Sequence, residues 1–488
     1  LGGSMKRHIL IGGLAACSLL ACATNPVTGD RQLNFMSEAQ EIQLGRESDP
    51  QLRAEMGVYP DQALQRYVES VGMRLAKSSE RPDLPWQFAV VDVAAANAFA
   101  VPGGFIYITR GLLAHLDTEA ELAGVLGHEI GHVTARHSAA AYTRSTMATV
   151  GMLLTSLFAP KAKPYMGAVE AGLSIALLKY DRTQELQADR LGAGYAAKVG
   201  WAPSGMSGVL ETLGRISAAS DSRGLPNWLS THPQPADRLT KLAETVRALE
   251  SARPSSEWEV NRDAYWRHLD GLLYGDNPRE GFLRGREFVH PDMRFTVTFP
   301  DGWRVQNGRQ QVTSAPPGID GVVILLQVVQ NPQGASLERV AAAWMSQTGF
   351  QKVSGESVRL GGGVPAYHGV YSGQTESGTA VGVEAAHISH AGRVFLLAGV
   401  ASQARFAQVQ PHFARTIRSY SPANEAEMAR IKPNRIAFAT VASGDTWQSI
   451  AQRTGGLVPA GELAIVNGHA PDSRPPVGRR IKTVTQGS

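Results

Sequence analysis

Cysteine is all but missing from this chain: there are two in 488 residues, Cys17 and Cys22, both near the beginning. No disulfide and no Cys-ligated metal site can therefore form in the rest of the sequence. An excess of one charge is missing as well. Lys and Arg number 47 against 43 Asp and Glu, a formal net charge of +4, with no basic run of the kind that tracks a phosphate backbone. Nucleic acid is therefore not an expected partner. No apolar run reaches the ~20 residues that span a bilayer as a helix. Ile9–Ala21 is too short, and Ser145–Pro160, closed by Lys161, Lys163 and Pro164, reads as a buried or interfacial helix. The 51 glycines and 27 prolines follow no fixed period, and nothing repeats at about 20–50 residues. Collagen-like, solenoid and propeller architectures are excluded. What is present is hydrophobic material, 43% of the residues, in a chain long enough for several domains of roughly 100–200 residues each.

The amino-terminal segment reads as an address. Residues 1–4 precede Met5 and are set aside; Lys6-Arg7-His8 and the apolar stretch after them form a secretory signal over 5–21. Leu19-Leu20-Ala21-Cys22 resembles the lipobox of bacterial lipoproteins, which makes Cys22 the expected lipidated residue. A rival box, Leu14-Ala15-Ala16-Cys17, leaves an apolar region of only about eight residues. Ala23 stands where an aspartate would resemble an inner-membrane retention signal, so outer-membrane attachment facing the periplasm is expected.

Beyond the signal, capping patterns mark helices. Ser37 with Gln40 forms a capping box, Pro60 opens a helical pattern running to Lys77, and Thr118 with Glu121 caps another helix. Short extended pieces lie at Trp86–Val91 and Gly104–Thr109. From about residue 286 the texture becomes alternating, as in Phe295, Val297 and Phe299, with strands expected at Val322–Val329 and Arg393–Val400. Helices are expected at Ser336–Thr348 and Ala404–Arg418. The expected organisation is a mainly α domain with a small β-sheet over 22–280, an α+β domain over 286–420, a linker over 421–436 and a small βααβ unit of its own over 437–484.

The chemistry sits at His128-Glu129-Ile130-Gly131-His132, in the helix capped by Thr118. Spacing of i and i+4 puts both imidazoles on one helix face, where they can grip one cation, with Glu129 placed to take a proton from a metal-bound water. Neutral imidazole suits Zn²⁺, which in hydrolytic sites takes three protein ligands. Position 138 is serine rather than a further histidine, and His137 lies off the ligand face. Glu185 and Asp189, again at i and i+4, offer one carboxylate for the metal and one to hold a histidine N–H.

With Asn97-Ala98-Phe99-Ala100-Val101-Pro102-Gly103-Gly104, Thr231-His232-Pro233 and Arg238 in order around these motifs, the region resembles the CAAX-prenyl-protease type of zinc metallopeptidase. This is peptidase family M forty-eight, and the likeness is strongest to its BepA/LoiP-like periplasmic branch. It implies a zincin-like fold and one zinc held by His128, His132 and Glu185. Glu129 would be general base, Asp189 and Arg238 would lie behind the ligands, and Asn97, Ala98, Phe99 and Ala100 would form an edge strand for an extended peptide. For His232 it leaves two roles open, donor to the oxyanion or plug in the fourth zinc position.

Phe299-Pro300-x-Gly302-Trp303 and the strands after it resemble the PsbP/Mog-one-like sandwich. His387 and His390, three apart on a strand, point to opposite faces and are expected to be structural. Val441-x-x-Gly444-Asp445-Thr446-Trp447, with Asn467-Gly468 and Ile481, resembles a LysM module, which implies peptidoglycan as a partner. The expected function is zinc endopeptidase action on misfolded or stalled periplasmic and outer-membrane proteins. The alternative is a non-proteolytic chaperone or assembly factor using the same cleft.

Overall fold

The computed structural model describes residues 22–34, 36–143, 180–219, 228, 232, 238–331, 334–375 and 378–487. The stretch Ser145–Pro160 lies outside them, as do the signal and Cys17. Among the described residues no helix is long and apolar enough to cross a membrane.

Two compact units result. The first takes in the described residues up to Gly275 and also Asn434–Gly487; the second takes in those of Asp276–Pro433.

In the first unit, β1 (Cys22–Thr24) and β2 (Arg31–Leu33) form a hairpin that leads into α1 (Glu38–Met56). The expected capping box at Ser37 and Gln40 is present. Next, α2 (Gln62–Ala76) starts not at Pro60 but after Asp61, whose carboxylate accepts from the amides of Ala63 and Leu64. Three strands follow, β3 (Gln87–Val91), β4 (Ala98–Val101) and β5 (Phe105–Thr109), in the order β3-β5-β4. β3 runs parallel to β5, and β4 runs antiparallel to it along an edge. Phe99, Val101, Phe105 and Tyr107 fill one face of this sheet together with Leu52 of α1. Ala98, Ala100, Ile106 and Ile108 join the main core on the other.

From β5 the chain enters α3 (Arg110–His115) and then α4 (Glu119–Thr134), capped by Thr118 as expected. α4 carries the histidine motif and is buried almost throughout, so it is the centre of the core rather than a surface helix. α5 (Arg182–Lys198) packs along it, with α6 (Gly205–Ala219), α7 (Arg238–Glu250) and α8 (Arg262–Leu269) around them.

The second unit holds β6 (Phe282–Arg284), β7 (Glu287–His290), β8 (Phe295–Thr298), β9 (Arg304–Asn307), β10 (Gln311–Ala315) and β11 (Val322–Val329). These are followed by α9 (Leu337–Gln347), β12 (Gln351–Arg359), β13 (Pro365–Gln374), β14 (Ala380–His390), β15 (Arg393–Ser402), α10 (Gln403–Arg418) and β16 (Ser421–Pro422). A seven-stranded antiparallel sheet ordered β12-β13-β14-β15-β11-β10-β9 packs α9 on one face. On the other face lie α10 and phenylalanines of the four-stranded sheet β16-β8-β7-β6. His387 is fully buried, whereas His390 reaches the surface and meets the Arg294 carbonyl, so the two do point apart.

Two boundaries differ from expectation. The linker expected over 421–436 is shortened from both ends, because β16 pairs with β8 and the next strand already begins at Asn434. The last segment does have the expected βααβ order: β17 (Asn434–Thr440), α11 (Trp447–Arg453), α12 (Ala460–Val466) and β18 (Arg480–Gln486). It is not a unit of its own, since its apolar residues belong to the same core cluster as α3, α4 and α8.

What brings α4 and α5 together is the absence of side chains between them. A Cβ on Gly192 would stand 2.7 Å from the backbone nitrogen of His128 and 3.0 Å from Gly127, and one on Gly131 would stand 3.1 Å from Leu191. Gly192→Ala should therefore push the two helices apart and cost about 1–3 kcal/mol, read as a lower urea midpoint with an unchanged slope.

Candidate metal centre

α4 presents His128 and His132 toward α5, and α5 answers with Glu185 and Asp189 one turn apart. His232 comes from beyond them, its amide donating to the Trp228 carbonyl at 2.9 Å. One donor atom from each of His128, His132, Glu185 and His232 lies within 4.8 Å of the others, and all four residues are buried. His132 Nε2 and His128 Nε2 are 3.0 Å apart, His232 Nδ1 is 3.2 Å from His128 Nε2, and Glu185 Oε1 is 3.3 Å from His132 Nε2. Two imidazole Nε2 atoms facing each other at this distance can share one cation between them. Three nitrogens and a carboxylate oxygen are the donor set that suits zinc.

Behind this cluster the donor residues have partners that fix their orientation. His128 Nδ1–H donates to Asp189 Oδ1 at 2.9 Å, which leaves the Nε2 lone pair facing the centre. Arg238, fully buried, grips Asp189 with two nitrogens at 2.5 and 2.7 Å and reaches Glu185 Oε2 with a third at 2.7 Å. Both carboxylates feel this. Burial alone would raise the Glu185 carboxyl, but the His232 charge and the hydrogen bonds from His132 and His232 hold it well below the usual carboxylate range. Asp189 is likewise held down against burial by Arg238 and His128. Burial lowers both His128 and His132, the latter to about 4, so both are neutral, the state in which imidazole ligates. His232 goes the other way: burial opposes its charge, but Glu185 and Glu129 outweigh it and raise its pKa.

Three residues at this centre had no role in the sequence reading. His137, expected off the ligand face, is indeed outside the donor set, yet its Nδ1 lies 3.0 Å from His132 Nδ1 and its Nε2 3.1 Å from Gln187 Oε1. If His132 faces the metal through Nε2, its Nδ1–H must donate to His137, and His137 Nε2–H then donates to Gln187. The helix ends at Thr134 and Arg136 turns left-handed, with φ of 59°, which folds His137 back over His132. Periodicity cannot foresee that reversal. Tyr180 stacks on His132 with ring centres 3.8 Å apart. Trp228 stacks on His232 at 4.5 Å and donates its indole N–H to Glu129 Oε1 at 3.1 Å. The one signal for Trp228 was an aromatic one helical turn before His232.

Among the described residues, Glu129 Oε2 and His232 Nε2 are buried with no hydrogen-bond partner. A carboxylate oxygen left so beside a cluster of metal-type donors is free to accept a proton or a hydrogen bond from a group that is not protein.

β4 borders this centre, since the Trp228 amide donates to the Ala96 carbonyl at 3.0 Å. Among the described residues β4 pairs only with β5. The Thr109 amide bonds to Asn97 O, so by antiparallel alternation Ala98 and Ala100 turn their N–H and C=O groups outward. Side chains of Ala98, Phe99 and Ala100 are buried, and the strand has only backbone to offer.

Residues 62–246 match peptidase family M48. The resemblance drawn from the motifs thus holds, and residues 439–483 match the LysM domain. The chain is 32% identical over 237 residues to the beta-barrel assembly-enhancing protease of Escherichia coli K12, covering 47% of this chain and 48% of that one. It is 32% identical over 188 residues to the mitochondrial metalloendopeptidase OMA1 of Arabidopsis thaliana, covering 38% and 37%. The chain spans about half the length of the first of these relatives and less of the second. Among solved structures, cyanobacterial PsbP from Synechocystis sp. PCC 6803 covers 28% of this chain at 12% identity, with a TM-score of 0.22, a likeness that carries no argument.

Arg238→Met would leave two buried carboxylates facing each other without their shared cation. It should cost about 3–5 kcal/mol in chemical unfolding. His137→Phe keeps the ring but loses the bond to His132, and should weaken zinc binding about 10–100-fold in competition with a chelator.

Proposed function

We propose that this chain is a zinc-dependent endopeptidase of the bacterial envelope, with one zinc per chain, that cleaves misfolded or stalled periplasmic and outer-membrane proteins. The observation that carries the reading is the convergence of His128, His132, Glu185 and His232 on one buried point, with Glu129 beside it. The match to M48 and the metalloendopeptidases among its relatives support it. The class of substrate rests on the relative in Escherichia coli, whose name makes it a protease of beta-barrel assembly.

In this reading His128, His132 and Glu185 hold the zinc, which when bound supplies Lewis acidity to water and to the scissile carbonyl. Glu129 takes the proton of the attacking water on Oε2 and passes it to the leaving amine, while Trp228 keeps Oε1 in place. Asp189 and Arg238 hold the ligands in their tautomer and charge state. The edge of β4, from Asn97 through Ala100, pairs with an extended peptide through Ala98 and Ala100. That mode of binding suits substrates chosen for being unfolded.

His232 would take the fourth donor position at rest and hold the site closed, as a neutral imidazole that has given up the proton which Glu185 and Glu129 otherwise favour on it. Its Nδ1 lies 2.8 Å from Glu185 Oε1, inside the donor cluster. The remainder of the reading places the protein in the periplasm, anchored to the outer membrane through lipid on Cys22, with peptidoglycan as a partner of the LysM domain.

Wild type should bind zinc and cleave casein, and Glu129→Gln should keep the zinc and lose about 10²–10⁴-fold in kcat/KM. Equal cleavage by both proteins would remove the enzyme reading and leave the binding role. His232→Ala should raise kcat/KM. A collapse of activity in that variant would instead make His232 the oxyanion donor.

A further inference from the structure

Lys482, on β18, is fully buried, an unusual place for a lysine. Its Nζ donates to the carbonyls of Ala114 at 3.1 Å and Leu116 at 2.8 Å. These are carbonyls at the C-terminal end of α3, which have no partner within their own helix and lie at the negative end of its dipole. Two residues after Leu116 stands Thr118, the N-cap of α4. The lysine therefore grips the short joint from which the metal-binding helix departs.

The surrounding contacts are extensive. Residues 271–274 line up along β17: the Gly271 amide bonds to Ile436 O, the Ile436 amide to Leu272 O and the Tyr274 amide to Asn434 O, at 2.8–2.9 Å. Arg435 Nη1 donates to Gly271 O at 2.7 Å and Tyr274 Oη to Glu462 at 2.6 Å. Phe438 stacks on Trp266 of α8, whose indole N–H donates to the Asp117 carbonyl in the same joint. Ile436, Leu463, Val466 and Val484 share one core with Leu112, Leu113 and Leu116. A domain of about 50 residues is marginal alone, and here its missing apolar partner is the peptidase region.

We propose that the LysM domain of this chain is an internal strut of the peptidase region, and that Lys482 is a positioning residue which fixes where α4 begins. The partner that this face of the domain fits is residues 110–118 and 262–274 of the same chain. The functional half of the proposal rests on the reading of α4 as the zinc helix.

The test uses the full chain with Lys482→Met, which keeps the length of the side chain and removes its donors. Amide hydrogen exchange in peptides covering 110–134 should become about ten-fold faster, the scale of one lost charge-assisted hydrogen bond, while exchange in 286–420 stays as it was. Casein cleavage should show kcat lowered and KM little changed. Unchanged exchange in 110–134 would overturn the strut; faster exchange with unchanged kcat would overturn the positioning role. Should Lys482→Met fail to fold, Tyr274→Phe, which removes only the bond to Glu462, decides instead: faster exchange in 434–487 and 110–118 together supports one body, and faster exchange in 434–487 alone refutes it. Exchange does not depend on proteolysis, so running Lys482→Met on a Glu129→Gln background separates failure of the strut from failure of the enzyme reading.

Discussion

The guanidinium of Arg238 is the contact on which the candidate metal centre depends. Glu185 and Asp189 lie one turn apart on α5, both buried, both charged and both needed by the histidines of α4. Two such anions in a dry interior repel each other and lose their hydration. One planar cation that reaches both, bidentate on Asp189 and single on Glu185, makes the pair tenable in the absence of metal and orients each carboxylate at the same time. A lysine could supply the charge but not the fork. α7 begins with Arg238, so that helix is tied to the centre at its first residue.

A second constraint is geometric. Four donors reach one point only because the backbones of α4 and α5 nearly touch, and glycines at 127, 131 and 192 permit that approach. In α4 the motif supplies the histidines, and the glycines among and before them supply the distance. The ligands and the packing are thus written into the same two helices.

Much of this was legible in the residues. Ser37 and Thr118 do cap helices, Val322–Val329 is a strand over its full expected length, and the donors read from spacing and resemblance meet at one point. What escaped was whatever depends on a chain reversal or on a distant partner. His137 reaches His132 because Arg136 breaks the helical period, and Trp228 reaches Glu129 from ninety-nine positions away. The standing of the last segment was also misjudged, for a reason visible in one strand. In β18, Arg480, Lys482 and Val484 alternate with Ile481, and a lysine on the far side from an isoleucine reads as solvent-facing. In the folded chain that far side is covered by α3 and its joint, and Lys482 and Val484 are both buried. Local pattern reports which side of a strand is polar, but not what comes to lie against it.

The edge of β4 has a consequence for which proteins such a site can act on. Its side chains are turned inward and sealed, so a chain bound there as proposed would meet only amides and carbonyls, groups that every sequence possesses. Discrimination by spelling is therefore weak at this edge, and discrimination by vacancy is strong: only a segment whose own hydrogen-bonding groups are unclaimed can lie there. A finished sheet or helix has already spent those groups and passes by. On the proposed reading the strand would act as a clock on assembly, sorting chains by how long they stay unfinished.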